Sequence, residues 1–130
     1  MIFEPNEKFA KTLLNQFIEK KIVNYSRFRN FDYGPMDRSN VSLLSPFINH
    51  QTLIEIDILK KVLEKYAFKN VEKFIDEVFW RTYWRGWMES RPQVWEDFLL
   101  SLREIKKNEV YQSAINANTD IECFNRWVKE

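Results

Sequence analysis

The string FIDEVFWRTYWRGW, Phe74 to Trp87, places apolar side chains around nearly the whole circumference of any helix it forms. Val71, Phe74, Ile75, Val78, Phe79 and Thr82 make one stripe. Trp80, Trp84 and Trp87 make a second, shared with Glu77, Arg81 and Met88. A helix apolar on most of its surface is expected at the centre of a bundle. Nothing in the chain sustains the alternation of a half-buried strand, so the expected fold is all-α, a multi-helical orthogonal bundle of five or six helices in one domain spanning residues 1–130.

Other helices are read from period and caps. Phe9, Leu13, Leu14, Phe17 and Ile18 recur at three and four, which predicts a helix from Asn6 to about Val23. Residues 24–40, NYSRFRNFDYGPMDRSN, break the period and gather turn formers, predicting a long ordered loop or a loop with short turns. Thr52 and Glu55 have the form of a capping box opening a helix to about Tyr66. Asn70 is a cap for the helix Val71 to Glu89. Ser90 with Gln93, and Thr119 with Glu122, are two further boxes, the first with Pro92 in its opening turn.

Composition removes several classes of function. One Cys and one His leave no zinc site of the usual kind and no internal disulfide. Lys and Arg number 20 against 19 Asp and Glu, so any anion site must be local. Charged residues interrupt every apolar window near the N-terminus, so no signal peptide or membrane span is expected, and a cytoplasmic location is.

Three groups of residues carry chemistry. Glu77 and Arg81, four apart, are an exposed helical ion pair on the plainest reading, or a buried structural network. Sharing a face with Trp80 and Trp84, they also suit a cleft wall, with a hydrogen-bonding carboxylate, a stacking indole and a guanidinium for phosphate. Ser42 and Ser45 stand three apart where loop becomes helix, which is most simply a cap and alternatively a set of phosphate donors. Arg27, Arg29 and Arg38 in the loop are either solvated or contacts to a nucleic-acid backbone.

Taken in order, Tyr25-Ser26-Arg27 with Arg29-Asn30-Phe31-Asp32, then Asn40 to Pro46, then Phe74 to Trp84, resemble the FAD-binding helical domain of DNA photolyases and cryptochromes. The resemblance runs from about Tyr25 to the C-terminus. It implies that Tyr25 and the loop Val41, Ser42, Leu43, Leu44 and Ser45 hold the FAD diphosphate, with Arg81 reaching the same phosphates. It implies that Glu77, Trp80 and Trp84 face a DNA photoproduct. Val41 stands where the family carries Thr, which removes one hydroxyl donor. The chemistry implied is the cofactor's, an electron lent by photoexcited flavin to a flipped-out dimer, a lyase reaction with no catalytic side chain assigned.

The departures shape what is expected of this chain. Only 24 residues precede Tyr25, too few for the family's α/β antenna domain, and the stretch binding the flavin ring is not among these residues. Residues Asn118 to Trp127, NTDIECFNRW, differ from most members and suggest a divergent cryptochrome-like branch. The expectation is a partial domain, inherited from light-driven repair or blue-light signalling, that alone holds FAD weakly or not at all. Trp80, Trp84 and Phe47 are then expected to form an apolar patch that drives self-association or receives a companion chain supplying the missing lobe. The alternatives are a flavin-free helical module binding nucleic acid, or a protein-interaction scaffold.

Overall fold

The computed structural model describes residues 4–130, and everything described is helix, turn or loop. Eight helices follow in order among these residues: α1 Glu7–Lys20, α2 Ile22–Phe28, α3 Ser45–Asn49, α4 Glu55–Leu63, α5 Phe68–Glu89, α6 Pro92–Glu104, α7 Glu109–Ile115 and α8 Glu122–Lys129. The all-α, multi-helical expectation holds. The count exceeds five or six because the first helical segment breaks at Lys21 and because α3 and α7 are too short to leave a periodic signature. α2 runs to Phe28, so part of the stretch read as loop is helix. The chain divides into two compact units, one up to Trp84 and one from Arg85 to Glu130.

The first unit contains the core. α1 contributes Ala10, Leu13, Leu14, Phe17 and Ile18, α2 contributes Ile22 and Tyr25, α4 contributes Ile58 and Val62, and α5 contributes Val71, Phe74, Ile75 and Val78. Leu44, Phe47 and Leu53 close it from the intervening chain. Phe17 and Phe74 rings lie 4.7 Å apart, and Tyr25 meets both edge-on at 5.6 and 5.5 Å. This geometry satisfies the ring quadrupoles as well as burying apolar surface. The Tyr66 hydroxyl donates to the Ile18 carbonyl at 3.0 Å, fastening the chain beyond α4 to the end of α1.

α1 starts at the expected place, with Asn6 Oδ1 accepting from the Phe9 amide at 2.8 Å. The other proposed caps do not act as such. α4 does open at Glu55, but Ile54 is its cap residue, and the Thr52 amide is spent on the Phe47 carbonyl at 2.8 Å. Asn70 lies inside α5, whose first residue is Phe68. α6 opens on Pro92 after Arg91, while Ser90 Oγ turns back to the Trp87 carbonyl at 2.8 Å and Gln93 donates to Asp97. α8 opens after Ile121. Thr119 is held in a local clasp with Asn125, whose Nδ2 donates to the Thr119 carbonyl at 2.6 Å and whose Oδ1 accepts from the Thr119 hydroxyl at 2.8 Å. At Ser90 and Thr119 the candidate oxygen has a nearer partner than the first-turn amides, a competition that makes such residues ambiguous in sequence.

α5 departs from the expected central helix. Its buried residues are Val71, Phe74, Ile75 and Val78, a single stripe, whereas Trp80 and Trp84 are 55% and 46% exposed. Nor does Phe47 join them in a surface patch, because it is 3% exposed and part of the core.

Truncating the aromatic contact is expected to be costly. Phe74→Ala removes the ring touching both Phe17 and Tyr25, and should lower unfolding free energy by about 3–5 kcal/mol. Val23→Ala, at an exposed position of α2, should change it by no more than about 0.5 kcal/mol. Urea unfolding followed by circular dichroism measures both; similar midpoints for the two variants would contradict this account of the core.

Candidate functional site

A cleft of about 570 Å³ opens on the first unit. Its wall is built from three separated stretches of chain: Tyr25 on α2, residues 41–48 around the start of α3, and one side of α5 with Phe74, Glu77, Val78 and Arg81. Each stretch is anchored by a neighbour in the core. Tyr25 itself is held by Phe17 and Phe74, the 41–48 segment by Leu44 and Phe47, and α5 by Phe74 and Val78.

Of the residues proposed for a cofactor, Tyr25, Val41, Ser42, Leu43, Ser45 and Arg81 all line this cleft. Leu44 does not. Its side chain is 1% exposed within the core, and its amide donates to Ser42 Oγ at 3.4 Å. Glu77 is on the cleft wall, while Trp80 and Trp84 lie outside it, their indoles edge to face at 6.5 Å. Pro46 and Ile48 are wall residues that sequence reasoning did not single out; an apolar turn after the serines was the only signal they offered.

The loop before the cleft is ordered by its own polar side chains. Asn40 Nδ2 donates to the carbonyls of Phe28 and Phe31 at 2.8 and 2.7 Å, closing residues 28–40 on themselves. Asp32 accepts from the Gly34 amide and Asp37 from the Ser39 amide, both at 2.9 Å, and Gly34 supplies a left-handed φ of 84°. The Ser39 contacts, hydroxyl and amide, hold the Asp37 carboxyl below its usual range. Leu43 also has a left-handed φ, 60°, in a residue type for which that costs about 1 kcal/mol. Core burial of Leu44 and Phe47 on one side and the Asn40 clasp on the other hold that conformation in place.

The electrostatics differ from the expected Glu77–Arg81 pair. Glu77 is instead bonded to Arg29, 48 residues away at the end of α2. Nothing in the sequence distinguishes Arg29 from Arg27 or Arg38 as that partner; the choice is made by where α2 stops relative to α5. With Glu77 matched by Arg29, the Arg81 guanidinium has no ion-pair partner among the described residues and gives the cleft a local positive charge. Burial pushes the Tyr25 phenol above its ordinary value, and the nearby Glu77 carboxylate adds to this, against a smaller opposite pull from Arg29.

Compared with known proteins, the chain matches no family model, no curated protein and no solved structure. Among the described residues no helix is long and apolar enough to cross a membrane.

The phenol gives a test of cleft geometry. Because the folded protein holds the Tyr25 proton more tightly than an unfolded chain does, the stability it confers is complete below pH about 10 and declines as pH rises above it. An absorbance titration at alkaline pH should show one tyrosine ionising later than the rest, and Tyr25→Phe should abolish that late step. A titration unchanged in Tyr25→Phe would contradict the assignment.

Proposed function

We propose that this chain forms one wall of a photolyase- or cryptochrome-like flavin site, with the cleft taking the diphosphate of FAD. The observation carrying this reading is that exposed Arg81 lines the same cleft as Ser42 and Ser45, a cleft whose only carboxylate, among the lining residues, is already matched by Arg29. Such a surface favours a dianionic, oxygen-rich group, which Arg meets with a planar fork of donors. Ser42 Oγ accepts from the Leu44 amide and keeps its own proton to donate. Tyr25 lines the cleft as a neutral phenol whose hydroxyl can donate. The volume lies within the range of small-molecule sites.

Bound FAD would supply light-driven electron transfer, toward a DNA photoproduct or a signalling state. The residues here bind and orient. The cleft is open, so a second wall from a companion chain or a second copy completes the enclosure, and the chain alone holds FAD weakly. Glu77 meets a base only by giving up Arg29, whereas Trp80 is exposed and available to stack. A flavin-free module for single-stranded nucleic acid is the second reading. It is favoured by the stacked, exposed Phe31 and Tyr33 and by Arg27 lying over Phe28 at 5.1 Å.

Flavin fluorescence titrations with FAD and with riboflavin, which lacks the phosphates, separate these. FAD should bind at least about tenfold more tightly than riboflavin, and Arg81→Ala should remove that advantage. Equal affinities, or no saturable FAD binding at millimolar concentration, would overturn the flavin reading. Salt-sensitive binding of a single-stranded oligonucleotide under those conditions would favour the second.

A further inference from the structure

A smaller pocket of about 190 Å³ opens on the first unit where the α1–α2 junction meets the loop beyond α2, and it shares only Tyr25 with the cleft. Lys20, Lys21, Asn24, Phe28, Tyr33 and Asn40 line it. We propose that this pocket seats one base of a single-stranded nucleic acid, with Tyr33 stacking on the base and Lys20 and Lys21 meeting the phosphates beside it. The inference deepens the single-stranded nucleic-acid reading and rests on it, and it gives that reading a place outside the cleft.

Charge is the first support. Lys20 and Lys21 have no ion-pair partner among the described residues. Consecutive residues of an unbroken helix point about 100° apart. Lys21 is the break between α1 and α2, which lets both ammonium groups border one pocket. No carboxylate is among the lining residues. Asp37, which feels the Lys21 charge, lies outside them and is already bonded to the Ser39 amide and hydroxyl. The chain carries a formal charge of only +1, so this positive potential is local.

Rings and amides define what accompanies the anion. Tyr33 stacks on Phe31 at 6.3 Å yet is 45% exposed, so its ring is held and still has surface to offer. Phe28 lines the pocket with the Arg27 guanidinium 5.1 Å from its ring centre, a third cation close by. Asn40 Nδ2 is spent on two carbonyls, which fixes the amide's orientation and leaves Oδ1 as an acceptor. The Asn24 side chain has no hydrogen-bond partner among the described residues and supplies both donor and acceptor. A base edge uses such groups, whereas the ring of a phosphotyrosine offers them nothing to bond. The volume is below the roughly 300–1,000 Å³ of sites that enclose a whole small molecule, which suits one base with its strand running outside.

Fluorescence anisotropy with a short labelled oligothymidylate, repeated across a range of salt, tests the assignment in the whole chain, with circular dichroism to check folding. The wild type should bind saturably, and more tightly than it binds an abasic strand of equal length. Each neutralised phosphate of a single strand contributes about 0.7 to the salt slope, so Lys20→Gln with Lys21→Gln should lower that slope by about 1.4. Tyr33→Ala should weaken binding about tenfold at an unchanged slope, and Tyr33→Phe should preserve it. Lys60→Gln with Lys69→Gln removes the same charge from α4 and α5 and should have a smaller effect. No salt-sensitive binding by the wild type would overturn this inference together with the nucleic-acid reading. Binding that the pocket variants leave unchanged, or that the Lys60 and Lys69 pair weakens equally, would overturn the inference alone. So would tighter binding of a phosphotyrosine peptide than of the oligonucleotide.

Discussion

The aromatic cluster of Phe17, Tyr25 and Phe74, in which Tyr25 meets both phenylalanines edge-on, is the interaction on which the first unit depends. It joins the consecutive helices α1 and α2 to α5, far along the chain, through three rings whose electrostatics restrict how they meet. An aliphatic core tolerates sliding, but an aromatic cluster with fixed ring angles does not slide so freely. The same contact turns Tyr25 so that one side of the phenol is core and the other borders the cleft. Core packing and site geometry are thus set by the same side chain.

From that anchor the cleft follows by short steps. Once α2 and α5 are held together, Arg29 at the end of one comes within reach of Glu77 on the other. The ion pair is partly exposed and adds little stability. Its larger effect is on charge, since it neutralises the carboxylate in the wall and leaves Arg81 to set the local potential. The 41–48 segment completes the wall because Leu44 and Phe47 are drawn into the core. Their burial leaves Ser42, Leu43 and Ser45 at the cleft and holds Leu43 in a conformation it would not choose alone.

The second unit obeys a different balance. Its helices form from local preference, with Pro92 starting α6 and Asn108 capping α7, yet they bury almost nothing among themselves. Apolar stripes left in water are unfavourable by the same surface term that stabilises the first unit.

The sequence by itself was enough for the helical class, for the apolar face of α1 and for the stripe of α5 that reaches the core, because these rest on a period of 3.6 residues and on local propensity. Short motifs also singled out Ser42, Ser45, Glu77 and Arg81, and the family resemblance added Tyr25; the structure sets all five on one cleft. What only the tertiary structure decided was pairing and burial. Arg29 rather than Arg81 holds Glu77, Leu44 and Phe47 turn inward, and Trp80 and Trp84 stay in solvent although they sit on an apolar helix. Each of these depends on which surfaces meet across dozens of residues, and helical period records a side chain's direction about its own axis but not what waits there.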